Sequence, residues 1–211
     1  MEDMHLRFWH KILDMVTEKD LSSYSVLDLG CNQGGFLRYL YGQRPFKNGI
    51  GVDLARQSVE VANQRKGSLP LYYEATTTPE KFENHFDLAF SMSVIYLISD
   101  LKEHAWKIKK ALKPGGVYYA TYTDYNGNPS LPEMKKKIDQ NGSVPMILHD
   151  LDDIANAFLQ EGFTVGIWRL IPDSFIELSQ PDRFFQRISH RMLYEYEQAY
   201  IFRFVVPDHA D

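Results

Sequence analysis

Val26-Leu27-Asp28-Leu29-Gly30-Cys31-Asn32-Gln33-Gly34-Gly35-Phe36 is the stretch that decides the fold of this chain. Val26, Leu27 and Leu29 form a short apolar run that stops at glycines. Phe36, Leu37, Leu40 and Tyr41 then follow at helical spacing before Gly42. The reading is strand, tight turn, helix. Gly30 and Gly34 have access to backbone angles closed to other residues, and a helix that starts at such a turn points unpaired N–H groups and a positive dipole end into the crevice above the strand. A nucleotide-like ligand suits that environment.

The same alternation continues on either side. Leu6, Trp9, Ile12, Leu13 and Val16 share one stripe, which predicts an amphipathic opening helix over 4–18. Downstream, strands are predicted at 50–53, 71–73, 86–91 and 117–122, with helices at 55–65 and from Leu101 to the stop at Pro114, Gly115 and Gly116. Asp150 is placed to cap a helix that runs to Gly162, and strands follow at 163–170 and 199–206. The expected architecture is α/β: one domain over 1–211 built on a doubly wound, seven-stranded, mainly parallel sheet with an antiparallel last strand at its edge and helices on both faces. Two segments fall outside this pattern, a Gly-, Pro- and Asn-rich loop at about 123–149 and an aromatic insertion at about 171–197. Both are expected to act as lid or acceptor-site elements.

Composition narrows the class. Of 211 residues, 44% are hydrophobic and 24% charged, close to soluble globular averages. A net charge of -5 opposes attraction to phosphate backbones, so nucleic acid is a disfavoured partner, and the lysines in 107–113 and 135–137 read as solvated helix faces. The single cysteine, Cys31, supports neither a disulfide framework nor a multi-cysteine metal site and fits a reducing, cytoplasmic setting. No apolar run approaches the ~20 residues that span a bilayer, and 1–10 lacks the apolar core of a signal peptide.

The chemistry lies in the quoted turn. A dinucleotide fingerprint needs glycine where Asn32 stands, and Asp28, two residues before Gly30, would repel a diphosphate. A carboxylate there suits a cation, or the amino group of an amino-acid-like ligand. S-adenosylmethionine offers both a sulfonium and an ammonium. The stretch resembles the first motif of the class I S-adenosylmethionine-dependent methyltransferases, D-x-G-x-G-x-G, through Asp28, Gly30 and Gly34, with Asn32 in place of the middle glycine. By itself Asp53 reads equally as a cap for the next helix; its place roughly 20 residues past the turn favours ribose binding. The resemblance implies that Asp53 holds the ribose hydroxyls, that Glu74 and Ala75 lie beside the adenine, and that Ser91 sits near the methionine end. Leu112-Lys113-Pro114-Gly115-Gly116 resembles the family's turn before the fifth strand. The implied cofactor set is Asp28, Gly30, Cys31, Asn32, Gly34, Asp53, Leu54, Glu74, Ala75 and Ser91.

Transfer from a sulfonium is an in-line displacement with a neutral thioether leaving, so positioning and exclusion of water supply much of the rate. Whether a base is needed depends on the acceptor, and the sequence assigns none. Ser91-Met92-Ser93-Val94 lacks the proline-rich tetrapeptide that adenine N6 methyltransferases carry there, and Asp124 and Asp150 show no divalent-metal spacing. The expectation is metal-free transfer to a small molecule. Tyr96, Tyr122 and Tyr125 are candidates to touch it, with Phe8 and Trp9 closing from the opening helix. Two alternatives stand beside this: a protein that binds S-adenosylmethionine or S-adenosylhomocysteine without transferase activity, and an RNA methyltransferase. An NAD-dependent oxidoreductase is disfavoured by Asp28 and Asn32.

Overall fold

A computed structural model describes residues 3–142, 144–178, 182 and 184–208. Helix α1 (Asp3–Met15) opens the chain, followed by β1 (Ser25–Leu29), α2 (Gly35–Gln43), β2 (Asn48–Asp53), α3 (Arg56–Arg65) and β3 (Leu71–Ala75). After these come β4 (Phe86–Ser91), α4 (Leu101–Ala111), β5 (Leu112–Thr123), α5 (Leu131–Asn141), α6 (Leu151–Gln160), β6 (Thr164–Arg169), α7 (Ile188–Leu193) and β7 (Ala199–Val205). A turn of π-helix, Tyr194–Gln198, joins α7 to β7.

The strands form one sheet in the order β3-β2-β1-β4-β5-β7-β6. Pairing is parallel from β3 to β5, and β7 is antiparallel to both β5 and β6. The last strand is antiparallel as expected, and with β6 it makes the expected antiparallel edge, β7 lying inside and β6 outermost. β7 gains two rows of backbone hydrogen bonds this way, with seven register pairs to β5 alone, Val117↔Val205 to Thr123↔Ala199.

Side chains alternate across the sheet with period two. Val26, Leu88, Phe90, Val117 and Tyr119 pack with α1, α2 and α3, whereas Leu27, Leu29, Ala89, Tyr118 and Ala120 pack with α4 and α6. On the second face the Phe158 and Phe204 rings stack with centroids 3.7 Å apart. Asp150 and Asp153 form a reciprocal capping box that starts α6 where the sequence placed its cap.

Other boundaries move for identifiable reasons. The opening helix stops at Met15 rather than 18 because the Leu13 carbonyl, the acceptor Thr17 would need, is taken by Arg44 Nη2 at 2.5 Å, and the Thr17 N–H turns to the Tyr119 hydroxyl at 3.2 Å. The 123–149 segment, read as loop, contains α5; its apolar stripe is thin, with Met134 its buried residue, while Lys137–Glu133 and Lys135–Asp139 pairs run along its polar face. Pro114, Gly115 and Gly116 lie inside β5 as an irregularity, with Gly115 at φ 74, rather than ahead of it.

From β1 the sheet grows outward through β2 and β3, and from β4 it grows the opposite way. Ligands of open α/β sheets bind at such a reversal, beyond the carboxyl ends of the two strands. Here those ends are Leu29 and Ser91, which are register partners.

Candidate functional site

A crevice of about 1670 Å³ opens at this reversal. One wall is Asp28 and the turn after β1, Gly30 through Gln33, with Gly35 and Phe36 of α2 and with Met92 and Ser93 just past β4. The facing wall is Phe8, Trp9 and Lys11 of α1 together with 172–177, Phe184, Arg191 and Tyr194 from the late insertion. Among the described residues none of 123–149 lines it, whereas the later insertion borders the crevice.

The turn is held open by left-handed residues: Gly30 at φ 71, Asn32 at φ 48 and Gly34 at φ 73. Asparagine is among the few side chains that tolerate this region, which explains its presence between the glycines. The glycines are also needed for space. A Cβ on Gly30 would sit 2.4 Å from Val94 Cγ2, and one on Gly34 2.5 Å from the Tyr73 ring. The close approach is thus to neighbouring protein side chains as well as toward the crevice.

Asp53 links this turn to the next strand. Its Oδ2 accepts the Asn32 N–H and its Oδ1 the Ala55 N–H, both at 2.8 Å. The carboxylate steadies the start of α3 and holds the turn while keeping lone pairs for a ligand. Leu54 beside it is 59% exposed, and Ala75 is the register partner of Asp53. Glu74 is ion-paired with Lys81. Glu74 and Ala75 end β3 and Leu54 follows the end of β2; these three and Asp53 lie outside the lining of the crevice itself.

Asp28 is 2% exposed, and its Oδ2 meets no hydrogen-bond donor among the described residues. Burial, and after it the Asp53 charge, push its carboxyl well above the usual range. Cys31 is buried, with its Sγ toward the Asn32 carbonyl at 3.7 Å. Burial and the charges of Asp28 and Asp53 raise its thiol, which keeps it protonated and unreactive.

Ser91 is fully buried at the end of β4, and the residues past it, Met92 and Ser93, line the crevice instead. Ser93 is left-handed, φ 58, with its N–H donating to Thr121 Oγ1 at 2.9 Å. The three tyrosines expected at the acceptor lie behind the lining. Tyr122 accepts the His149 N–H and donates to the His149 carbonyl, 2.9 and 2.7 Å, and so fastens the entry to α6. The Tyr96 carbonyl accepts from Ile147 at 2.7 Å. Tyr125 stacks on Tyr194, centroids 5.9 Å apart and 9° from parallel, and Tyr194 is the ring that reaches the crevice. Tyr194, Lys11 and Ser93 were not singled out from sequence. The only local signal for Ser93 was its place just past a predicted strand.

Among the described residues no group of three or more His, Cys, Asp or Glu is arranged to hold a metal ion. No described helix is long and apolar enough to cross a membrane.

Comparisons with known proteins point to methyltransferases. Residues 27–120 match a family model described as a methyltransferase domain. Phosphoethanolamine N-methyltransferase 1 of Triticum aestivum is 30% identical over 155 residues, 71% of this chain and 30% of the relative. A tRNA U34 carboxymethyltransferase of Klebsiella pneumoniae is 28% identical over 51% of this chain and 33% of the relative. The chain thus spans about a third of the length of these curated relatives. Among solved structures, the Haloferax volcanii putative methyltransferase in complex with the Trm112 methyltransferase activator superposes with a TM-score of 0.78 at 22% identity, covering 97% of this chain and 92% of that one. At that identity the likeness speaks for the fold.

Proposed function

We propose, from the premise that this chain belongs to the class I S-adenosylmethionine-dependent methyltransferase family, that it is an enzyme moving the methyl group of S-adenosylmethionine to a small-molecule acceptor. The observation that carries this reading is the crevice. At about 1670 Å³ it exceeds the ~300–1,000 Å³ of sites built for one ligand. One wall has the turn and Asp28, which suit the cofactor, and the other is lined with Phe8, Trp9, Phe175, Phe184 and Tyr194. That leaves an aromatic half for a second molecule.

The residues fit the cofactor. The buried carboxyl of Asp28 borders the crevice and is assigned the cationic amino-acid end, with Gly30, Cys31 and Asn32 beside it in the lining and Gly34 completing the turn. Asp53, already oriented by two backbone donors, is assigned the ribose hydroxyls. Leu54, Glu74 and Ala75 are assigned the adenine edge, with Ser91 under the methionine end. Bound S-adenosylmethionine supplies a sulfonium methyl that leaves a neutral thioether behind. The chain's contribution is alignment and exclusion of water between α1, the late insertion and the turn, with no metal and no dedicated base. Tyr125 serves this reading from behind, as support for Tyr194.

A relative named for phosphoethanolamine supports a small polar acceptor, and relatives named for tRNA support the second reading, an RNA acceptor. The net charge of -5 favours the former. A single buried cysteine fits the cytoplasm as its place of work. The test is calorimetry with S-adenosylmethionine, S-adenosylhomocysteine and NAD, then incubation with methyl-labelled cofactor and either a metabolite extract or an RNA pool. The reading expects both sulfur ligands to bind and label to enter the metabolite fraction. Label in RNA alone selects the second reading. Saturable binding without label in either fraction leaves a cofactor-binding protein, and binding of NAD alone removes the cofactor assignment.

A further inference from the structure

We propose that Asp28 selects a positively charged ligand by exchanging a proton for it: the free protein holds Asp28 as the neutral acid, and binding of a ligand cation sends that proton to solvent. The inference rests on the cofactor reading above and adds a proton to its binding equilibrium.

The geometry carries it. Asp28 projects from β1 at the base of the crevice, 2% exposed, with Oδ2 meeting no donor and no ion pair reaching it among the described residues. An ionised carboxylate so placed is a buried, uncompensated charge, and protonation is the way such groups escape that cost. A second carboxylate, Asp53 at the end of β2, accepts the Asn32 and Ala55 N–H groups and adds to the effect of burial on Asp28. A like charge nearby adds to burial in disfavouring the ionised form of Asp28.

The other groups around Asp28 do not supply a counter-charge. Cys31 in the turn, Tyr73 from β3 and Tyr118 from β5 all sense it, and burial keeps each of them neutral. The α2 guanidinium of Arg38 donates to the Gln33 carbonyl and acts on Tyr73. Arg65 of α3 donates to Gln33 Oε1. Across the crevice His5, Arg7, His10, Asp173 and Glu177 complete the charged or titratable lining, while Lys11 is tied to the Ile171 carbonyl and Arg191 to Glu195 and Asp182. Burial and Asp53 both raise the Asp28 carboxyl, in agreement with this arrangement. A ligand cation beside the Asp28 carboxyl reverses the balance. The Asp28 O–H bond breaks, its electron pair stays on the carboxylate, and the proton passes to buffer.

The consequence is a pH-dependent affinity of definite sign. Below the raised Asp28 pKa, binding strengthens as pH rises, by up to about tenfold per unit for one proton released. The ligand's own α-amino group is protonated below about pH 7.7, so near pH 6.5 it takes up almost no proton and does not mask the effect.

The experiment is calorimetric titration of S-adenosylmethionine and S-adenosylhomocysteine into the full chain at about pH 6.5, in two buffers of different ionisation enthalpy, for wild type and Asp28→Asn. Wild type is expected to release close to one proton per ligand bound and to gain affinity with pH, and Asp28→Asn to release none and to show a flat profile. Release with both ligands assigns the exchange to the ammonium they share; release with S-adenosylmethionine alone assigns it to the sulfonium, and either result supports the proposal. A wild type that binds without releasing a proton, or that releases no more than Asp28→Asn, overturns it. The wild-type count decides alone if Asp28→Asn fails to fold. Binding of neither ligand removes the cofactor reading, and the inference with it.

Discussion

Asp53 Oδ2 accepts the backbone N–H of Asn32 at 2.8 Å, and this bond fastens the left-handed turn after β1 to the end of β2. The residue assigned to the ribose is therefore also a structural clamp on the segment assigned to the amino-acid end of the same ligand. Asp53→Ala leaves the Asn32 and Ala55 donors without their acceptor. The expected cost is about 1–3 kcal/mol in urea unfolding, with a loss of at least about tenfold in S-adenosylmethionine affinity by calorimetry. Asp53→Asn, which keeps one acceptor oxygen, should fall between wild type and alanine in both.

Two glycines separate conformational need from coincidence. Gly34→Ala forces a left-handed alanine, about 1–2 kcal/mol, and drives its Cβ to 2.5 Å from the Tyr73 ring, so a total loss of about 2–4 kcal/mol is expected. Gly42 near the end of α2 is not left-handed, and a Cβ there would meet nothing within 4 Å. Gly42→Ala should stabilise by about 0.5–1 kcal/mol. Denaturant midpoints read both, and equal effects at the two sites would refute the packing argument.

The buried pair His104 and Tyr118, Nε2 to hydroxyl 3.1 Å, makes stability depend on pH. Burial, and secondarily Lys107, lower the His104 pKa from 6.5 to about 4. The unfolded chain then binds a proton that the folded chain refuses between those values. Stability from this group is complete above pH 6.5 and is lost as pH falls toward 4, on the order of 3 kcal/mol across the window. His104→Gln should flatten this part of the profile relative to wild type. Parallel profiles would show that His104 titrates normally.

What the sequence revealed and what it hid follow from the range of the interactions involved. The β1 turn was legible because a short apolar run, three glycines and an acidic residue all lie within 25–36, and the seven strands were legible through period and punctuation. The clamp from Asp53 to Asn32 spans 21 positions and depends on β1 and β2 being neighbours, which no local pattern encodes. The place of Tyr194 in the crevice depends on a π turn and on Tyr125 behind it, two features brought together by the β5–β7 pairing. Tyr122 looked available because it ends a strand. Its hydroxyl is instead committed to both backbone groups of His149, a long-range contact that sequence spacing does not announce.

Lys11 and Ile171 supply the last prediction. The Lys11 ammonium donates to the Ile171 carbonyl, and Asp173 and Glu195 support its charge against the burial that lowers it. This ties α1 to the start of the segment that borders the crevice, and within that segment Phe175 is 95% exposed. A covering segment joined to α1 through this bond should open and close, and ligand should shift it toward closed. Chymotrypsin is expected to cut the free protein first after Phe175 and to cut more slowly when S-adenosylmethionine is present. Lys11→Met breaks the tie while keeping the apolar stem, so the free-protein cut should quicken several-fold and the ligand's protection should shrink, with the thermal midpoint nearly unchanged. Equal cleavage rates with and without ligand would mean that this wall of the crevice is fixed, and that water is excluded from the site by its shape alone.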